Sequence, residues 1–590
     1  MHRYKRTLKV TLLLALSAGL ISACSEEQKA TLGAELLSKS ISQASILDHL
    51  ASLEGLSSAT TDGNSITRVA GSEGYSSSVE FIVGKMEALG YQVVLQSFDF
   101  RSWEELPGSA VQVDGVNLLG ISDIAEGETA DYAAMSYSAS STGKVMADIA
   151  FVSPDFRFDA DDYDSTDGCE VSDFDGLELT GKIAVIQRGG CSFNQKVVNA
   201  QQAGALAALI FNQGNDEGRT AVVNGTLGSD SEAVIPAFGV TFDLGEQWYQ
   251  ASLVGTVTGE LTISTDDNMI VTENIIAETK RGDAEQVVML GAHLDSVAVG
   301  PGINDNGSGS VGLLEYATRL AKYDHLLKNK VRFAWWAAEE AGLVGSEYYT
   351  NDLFAPLYNT AQQQILSELG LGDVSELSPE QNALVDQRYN QLNHIKLYLN
   401  FDMIGSPNYV FGVMDGDLSD TKDSPDNAYT GDFTPPVGTS NIESVFNRFF
   451  SEQSEQTVPQ ALSKRSDYAG FADWGVAFGG LFTGAERVKS VAEAEAFGGE
   501  AEQAYDPCYH QACDDLNNVS AKAAYINTQA LAYVTTYYAM KKELFPAEPV
   551  VQQARFSSSA VYLPIGTKLK AAPSHSDHGH FHGDLDQDRE

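Results

Sequence analysis

Four short apolar runs, each closing on polar residues, constrain this chain more than any other feature. They read QVVMLGAHLDS (Gln286–Ser296), NKVRFAWWAAEE (Asn329–Glu340), IKLYLNFDMIG (Ile395–Gly405) and AFGGLFTGAE (Ala477–Glu486). A strand with one solvated face alternates apolar and polar residues. Uninterrupted apolar strands instead belong to a sheet covered on both faces. Between the first two runs, GSGSVGLLEYATRLAKY (Gly307–Tyr323) has the apolar spacing of a crossover helix. The pattern predicts an α/β fold, with a mixed, mostly parallel central sheet and helices on both faces.

In such sheets, ligands bind beyond the carboxyl ends of the strands. Three of the runs end there in residues able to bind metal. His293 and Asp295 close the first; two positions apart on an extended chain, their side chains point the same way. Glu339 and Glu340 close the second. Two adjacent anions leaving a buried strand repel each other and lose hydration, so something must offset that. Asp402 closes the third run. The loop GPGINDNGSGS (Gly300–Ser310) adds Asp305 among glycines that allow close backbone approach. Far downstream, DPCYHQACDD (Asp506–Asp515) offers His510 between two cysteines. Singly, each residue has an ordinary explanation: an Asp after a strand caps a helix, and a Glu pair opens one. Their joint occurrence at strand ends carries the argument. Two His with several carboxylates suit zinc, whereas an all-oxygen set suits magnesium or calcium. Other nucleophiles are poorly provided for, since no Gly-x-Ser-x-Gly elbow is present.

The ordered set His293-Leu294-Asp295-Ser296, Gly302 to Gly307, Glu339-Glu340, Asn400-Phe401-Asp402 and Tyr509-His510 resembles the secreted bacterial double-zinc aminopeptidases of peptidase clan MH. The resemblance covers residues 41–130 and 266–545 and implies the zinc-peptidase fold with two Zn2+ per chain. It implies that Asp305 bridges the ions, that Glu340 and His510 complete one site, and that His293 and Asp402 complete the other. Asp295 would orient His293 from behind. Glu339 would be the general base and Tyr509 the phenol that steadies the oxyanion. Arg465, in SKRSDYAGF, matches a residue that helps hold the substrate's free amino terminus. A cis peptide between Asp305 and Asn306 is implied as well. The substrates would be peptides or proteins with a free N-terminus. A carboxypeptidase or dipeptidase of the same fold, a glutaminyl cyclase and a non-catalytic receptor-like protein are the rival readings. The preferred N-terminal residue and the oligomeric state stay open.

Between the two parts lies LTGKIAVIQRGGCSFNQKVVNAQQAGALAALIFNQ (Leu179–Gln213), a strand, glycine turn, helix and strand. It resembles the protease-associated (PA) domain, a smaller β-rich module, and the expected insert is 131–265. Its glycines are no phosphate loop, because no Lys-Ser/Thr pair follows. It is expected to shield the site or limit substrate size rather than to catalyse. A helical insertion is expected at 354–393.

The N-terminus joins a basic region (Arg3, Lys5, Arg6, Lys9) to a short apolar stretch ending Ile21-Ser22-Ala23-Cys24. This resembles a bacterial lipobox, implying a signal peptide over 1–23 and a lipid on Cys24. Residues 24–40, polar and small, then read as a tether. The protein would be an exported lipoprotein of the periplasm, outer membrane or cell surface, possible release included, with the lipid as its only membrane contact. Export predicts disulfides, and the four other cysteines fall into local pairs, Cys169 with Cys191 and Cys508 with Cys513. A net charge of -44 argues against nucleic acid as a partner. From 546 the chain loses periodicity, and four of its ten histidines (His575, His578, His580, His582) lie in a tail expected to be partly disordered.

Overall fold

The computed structural model describes residues 25–545, apart from 61–62, 64, 122–123, 125–128, 158–165, 216–218 and 423–433. The leader, Cys24 and the histidine-bearing tail lie outside the described residues. The chain separates into two compact units, one holding residues 99–270 and the other the segments on either side.

In the first unit, strands β1 (Tyr132–Ala134), β2 (Val145–Val152), β3 (Ile183–Gln187), β4 (Ala207–Phe211) and β5 (Ala237–Val240) join the start of β6 (Thr258–Glu278). The order is β6-β2-β3-β4-β5-β1. The pairs β2–β3, β3–β4 and β4–β5 are parallel, and both edges are antiparallel. Consecutive strand residues feed opposite cores. Ile183, Val185 and Leu209 pack with Trp248 on one side. Ala184, Ile186 and Ile210 pack with Val197 on the other. The helices Phe193–Gln202 and Phe242–Ser252 supply those cover residues, and the Cys169–Cys191 disulfide lies in this unit.

The second unit is built on β7 (Asp283–His293), β8 (Asn329–Trp336), β9 (Ile395–Phe401), β10 (Gly412–Met414), β11 (Val458–Gln460) and β12 (Ala477–Phe482). Their order is β11-β10-β12-β9-β7-β8, and residues 275–278 of β6 pair antiparallel with β8. The central pairs β8–β7, β7–β9 and β9–β12 are parallel, and β10 runs antiparallel to β12. The two tryptophans of β8 show why both faces must be covered. Trp335 donates its indole N–H to the Ser310 carbonyl at 3.0 Å, at the start of the crossover helix Gly309–Leu320. Trp336, on the opposite face, donates to the Tyr398 hydroxyl at 2.8 Å and packs on Tyr349 and Phe471. Each buried indole thus has an apolar cover and a hydrogen-bond partner. The helices Val344–Leu369 and Pro379–Leu392 pack on each other through Tyr358 and Tyr389.

Residues 26–40 are not the tether expected from their composition. Glu26–Ser40 is a helix, opened by a Ser25–Gln28 capping box, with Ala30, Gly33, Ala34 and Leu37 buried. Those positions recur at i, i+3, i+4 and i+7, one helix face. It docks on the C-terminal helix Ala521–Ala539. A Cβ on Gly33 would collide with the Met540 sulfur. Small residues that suggest a loose linker by composition here permit close helix contact. Among the described residues, no helix is long and apolar enough to cross a membrane.

Candidate active site

The parallel register sets the site. β7 lies between β8 and β9, with His293 opposite Trp336 and Gly291 opposite Asn400. The chain ends beyond these strands therefore bring His293, the two glutamates and Asp402 to one edge. The helix-like turn Ile303–Ser308 brings in Asp305, whose peptide bond to Asn306 is cis. The Asn306 side chain ties that turn to the end of β9, donating to the Phe401 carbonyl at 3.0 Å and accepting from the Met403 N–H at 3.2 Å. His510 arrives in a left-handed conformation (φ 57°) within the loop closed by the Cys508–Cys513 disulfide.

Asp305 presents one carboxylate oxygen to each histidine. Its Oδ1 lies 3.2 Å from His293 Nε2 and its Oδ2 lies 3.3 Å from His510 Nε2. On the His293 side, Asp402 Oδ1 is 3.3 Å from the same Nε2 and Glu339 Oε2 is 3.9 Å away. On the His510 side, Glu340 Oε2 lies 3.1 Å from Nε2. The adjacent glutamates thus serve different histidines. Ala338, at φ 56°, turns the chain immediately before them; an alanine rarely adopts that region. Asp295 supports the turn, its two carboxylate oxygens each accepting a backbone N–H at 3.2 Å, one from Glu339 and one from Glu340. His293 Nδ1 meets the Asp295 main-chain carbonyl at 3.1 Å and its carboxylate at 3.7 Å. Asp295 therefore orients the histidine chiefly through its backbone and holds the glutamates with its side chain.

The charges call for cations. His293, Asp305 and Glu340 each bring an atom within 4.8 Å of one another, as do His293, Glu339 and Asp402. Burial lifts Glu339 well above the usual carboxylate range. Burial, then Asp305, lifts Glu340 to about 7. Burial pulls His510 down, but Glu340 and Asp305 raise it to about 10. Without compensating positive charge, protons would have to fill that role. Among the described residues, Glu340 Oε1 is buried with no hydrogen-bond partner, an acceptor left for a cation. The donor set, two imidazoles with carboxylates, fits zinc.

Residues that the sequence reading passed over complete the surroundings. Ser466 donates to Asp402 Oδ2 at 2.6 Å and itself accepts from Asn400 at 2.8 Å. Asn400 accepts from Tyr398, and Tyr398 from Trp336. A hydrogen-bonded line thus runs from the core of β8 to Asp402. The Asp514 carboxylate accepts the backbone N–H groups of Asn304 at 2.9 Å and Asp305 at 3.0 Å. The only sequence hint of this was the acidic pair that follows Cys513. The Tyr509 ring stacks on His510 at 3.8 Å, and burial, reinforced by Asp305 and Glu340, keeps the phenol protonated. Arg465 donates to Glu486 at 2.9 Å and to the Tyr509 hydroxyl at 3.3 Å. Its partners here are thus an anion and the phenol.

Comparison with known proteins agrees with this geometry. The family model "Peptidase family M28" matches residues 274–535, and that of the PA domain matches residues 149–248. An aminopeptidase of Pseudomonas aeruginosa is 38% identical over 515 residues, covering 87% of this chain and 84% of its own length. Leucine aminopeptidase 2 of Trichophyton tonsurans is 36% identical over 522 residues, 88% and 89% of the two chains. The solved aminopeptidase from Aneurinibacillus sp. strain AM-1 shares the fold, with a TM-score of 0.57 at 22% identity over 88% of this chain and 98% of its own.

Proposed function

Because the chain belongs to peptidase family M28, carries a PA domain and is a metallo-aminopeptidase, we propose that it cleaves the first peptide bond of free-amine peptides with two zinc ions and Glu339 as general base. The observation that carries this reading is Asp305, which offers one oxygen to each histidine at 3.2 and 3.3 Å. Asp305 would bridge the ions, with Glu340 and His510 holding one, and His293 and Asp402 the other. When bound, zinc polarises a carbonyl and lowers the pKa of water toward ~7.

The chain's own residues do the rest. Glu339, raised by burial and near His293, takes the proton of the attacking water. As the water oxygen bonds to the scissile carbon, Tyr509 donates its O–H to the carbonyl oxygen that gains charge. Arg465 fixes that phenol and favours the developing anion. When the C–N bond breaks, Glu339 delivers its proton to the leaving amine. Asp295 and Ser466 hold the glutamates and Asp402 in register throughout.

N-acetylation of the substrate discriminates this from the rival readings. A free-amine aminoacyl anilide is expected to turn over, and its N-acetyl derivative to lose at least about 10²-fold in kcat/KM. Equal rates on both would remove the aminopeptidase reading. We also read the leader as directing export, with Cys24 as the lipid acceptor; the two disulfides suit an oxidising compartment. Cys24→Ser is then expected to move the protein from the detergent phase to the aqueous phase, and unchanged partitioning would exclude the anchor.

A further inference from the structure

A fully buried cation stands behind the metal-binding loop, and the chemistry above gives it no role. Arg68 is 0% exposed. It follows the two-residue strand Ile66–Thr67, far upstream of every ligand. Its guanidinium donates from Nη1 to the Leu294 carbonyl, from Nε to the Pro301 carbonyl at 2.7 Å, and from Nη2 to the Gly302 carbonyl at 2.6 Å. Leu294 directly follows His293, and Gly302 stands three residues before Asp305. One planar group therefore grips both ends of the loop that separates these two ligands.

The backbone around it reinforces the grip. The Arg68 N–H donates to Ser296 Oγ at 2.9 Å, and the Ser296 N–H donates back to the Arg68 carbonyl at 3.3 Å. Thr67 Oγ1 donates to the Val297 carbonyl at 2.9 Å. The loop is cut to fit. Gly302 sits at φ 60°, and a Cβ there would lie 2.4 Å from the Asp305 carbonyl oxygen and 3.3 Å from Arg68 Nη2. Asp295, Asp514 and Asp305 offset part of the charge. A cation sealed this completely is retained only where its neighbours compensate it. A lysine could supply the charge but not three donors in fixed directions.

We propose that Arg68, with Thr67 beside it, is a positioning latch for the metal centre. It closes the 294–302 loop and so fixes the separation of His293 from Asp305. This rests on the two-zinc reading above. The bland alternative is a core arginine that serves stability alone, and the two differ in what they do to metal affinity.

The test uses Arg68→Lys and Arg68→Met in the otherwise intact protein. Zinc affinity is measured by chelator competition without substrate. It is accompanied by the visible spectrum of the cobalt-loaded form, kcat and KM on an aminoacyl anilide, and melting in the metal-free state. Both variants are expected to bind zinc about 10–100-fold more weakly, to shift the cobalt bands and to lose kcat while KM stays within about twofold. Wild-type zinc affinity and kcat in either folded variant, with only a lower melting temperature, would overturn the proposal. Full recovery by lysine would also overturn it, since charge alone would then suffice. If neither variant folds, Thr67→Val decides: a weaker zinc affinity supports the latch, and an unchanged one rejects it. Failure of the wild-type protein itself to bind zinc tightly would instead strike the two-zinc reading.

Discussion

Glu339→Gln is expected to keep its full zinc content and lose about 10³-fold in kcat, ~4 kcal/mol of barrier. The amide keeps the shape of the side chain but cannot take up a proton. The backbone N–H of residue 339 still donates to Asp295, so the turn holding Glu340 survives. Glu340→Gln should behave oppositely. Its carboxylate lies 3.1 Å from His510 Nε2, and its Oε1 has no partner among the described residues, so its loss is expected to remove a ligand. Metal analysis beside steady-state kinetics separates the two. Normal turnover in Glu339→Gln, or zinc lost from it but not from Glu340→Gln, would reverse the assignment of the pair.

Chelation is expected to abolish turnover, zinc to restore it, and the stability lost on chelation to grow with pH. The sign follows from the direction of each shift. In the metal-free protein, burial holds Glu340 at about 7, Asp467 at about 8 and Asp514 at about 7, against ordinary values of 4.5, 3.8 and 3.8. His510, lowered by burial but raised further by Glu340, sits at about 10 against 6.5. All four bind protons more tightly folded than unfolded. Their contribution is complete below the unfolded values and is lost as pH rises through the folded ones. Asp305 runs the other way. Burial raises it, but hydrogen bonds from His293 and His510 bring it below its ordinary value, so its contribution is present above the unfolded value. It is already complete by pH 6 and leaves the trend unaltered. Melting temperature in chelator should therefore fall between pH 6 and 9. With zinc the fall should be shallower, because cations replace the protons. A chelated protein whose melting temperature is flat or rising over that range would contradict the electrostatic account of the site.

The sheet and much of the site were legible in the chain because strand polarity is local information. His293, Asp402 and the glutamates stand out as polar residues closing apolar runs, and such ends converge in a parallel sheet whatever surrounds them. His510 was different. It lies in a loop with no strand to announce it, and its place between two cysteines and its likeness to known motifs raised it. Residues 26–40 misled for the converse reason. Composition cannot tell a solvated linker from a helix whose small face has a docking partner almost five hundred residues away.

What the sequence determined alone was the parallel sheet and the identity of the residues at its edge, because burial on both faces and the turn to polar residues are written in consecutive positions. What only the tertiary structure decided was which partner each would meet. The left-handed Ala338 sends Glu339 toward His293 and Glu340 toward His510. Arg465 meets the Tyr509 phenol and Glu486. Arg68 crosses from the N-terminal segment to latch the loop before Asp305. These depend on backbone angles and on contacts between distant segments, and neither is encoded in the spacing of neighbouring residues.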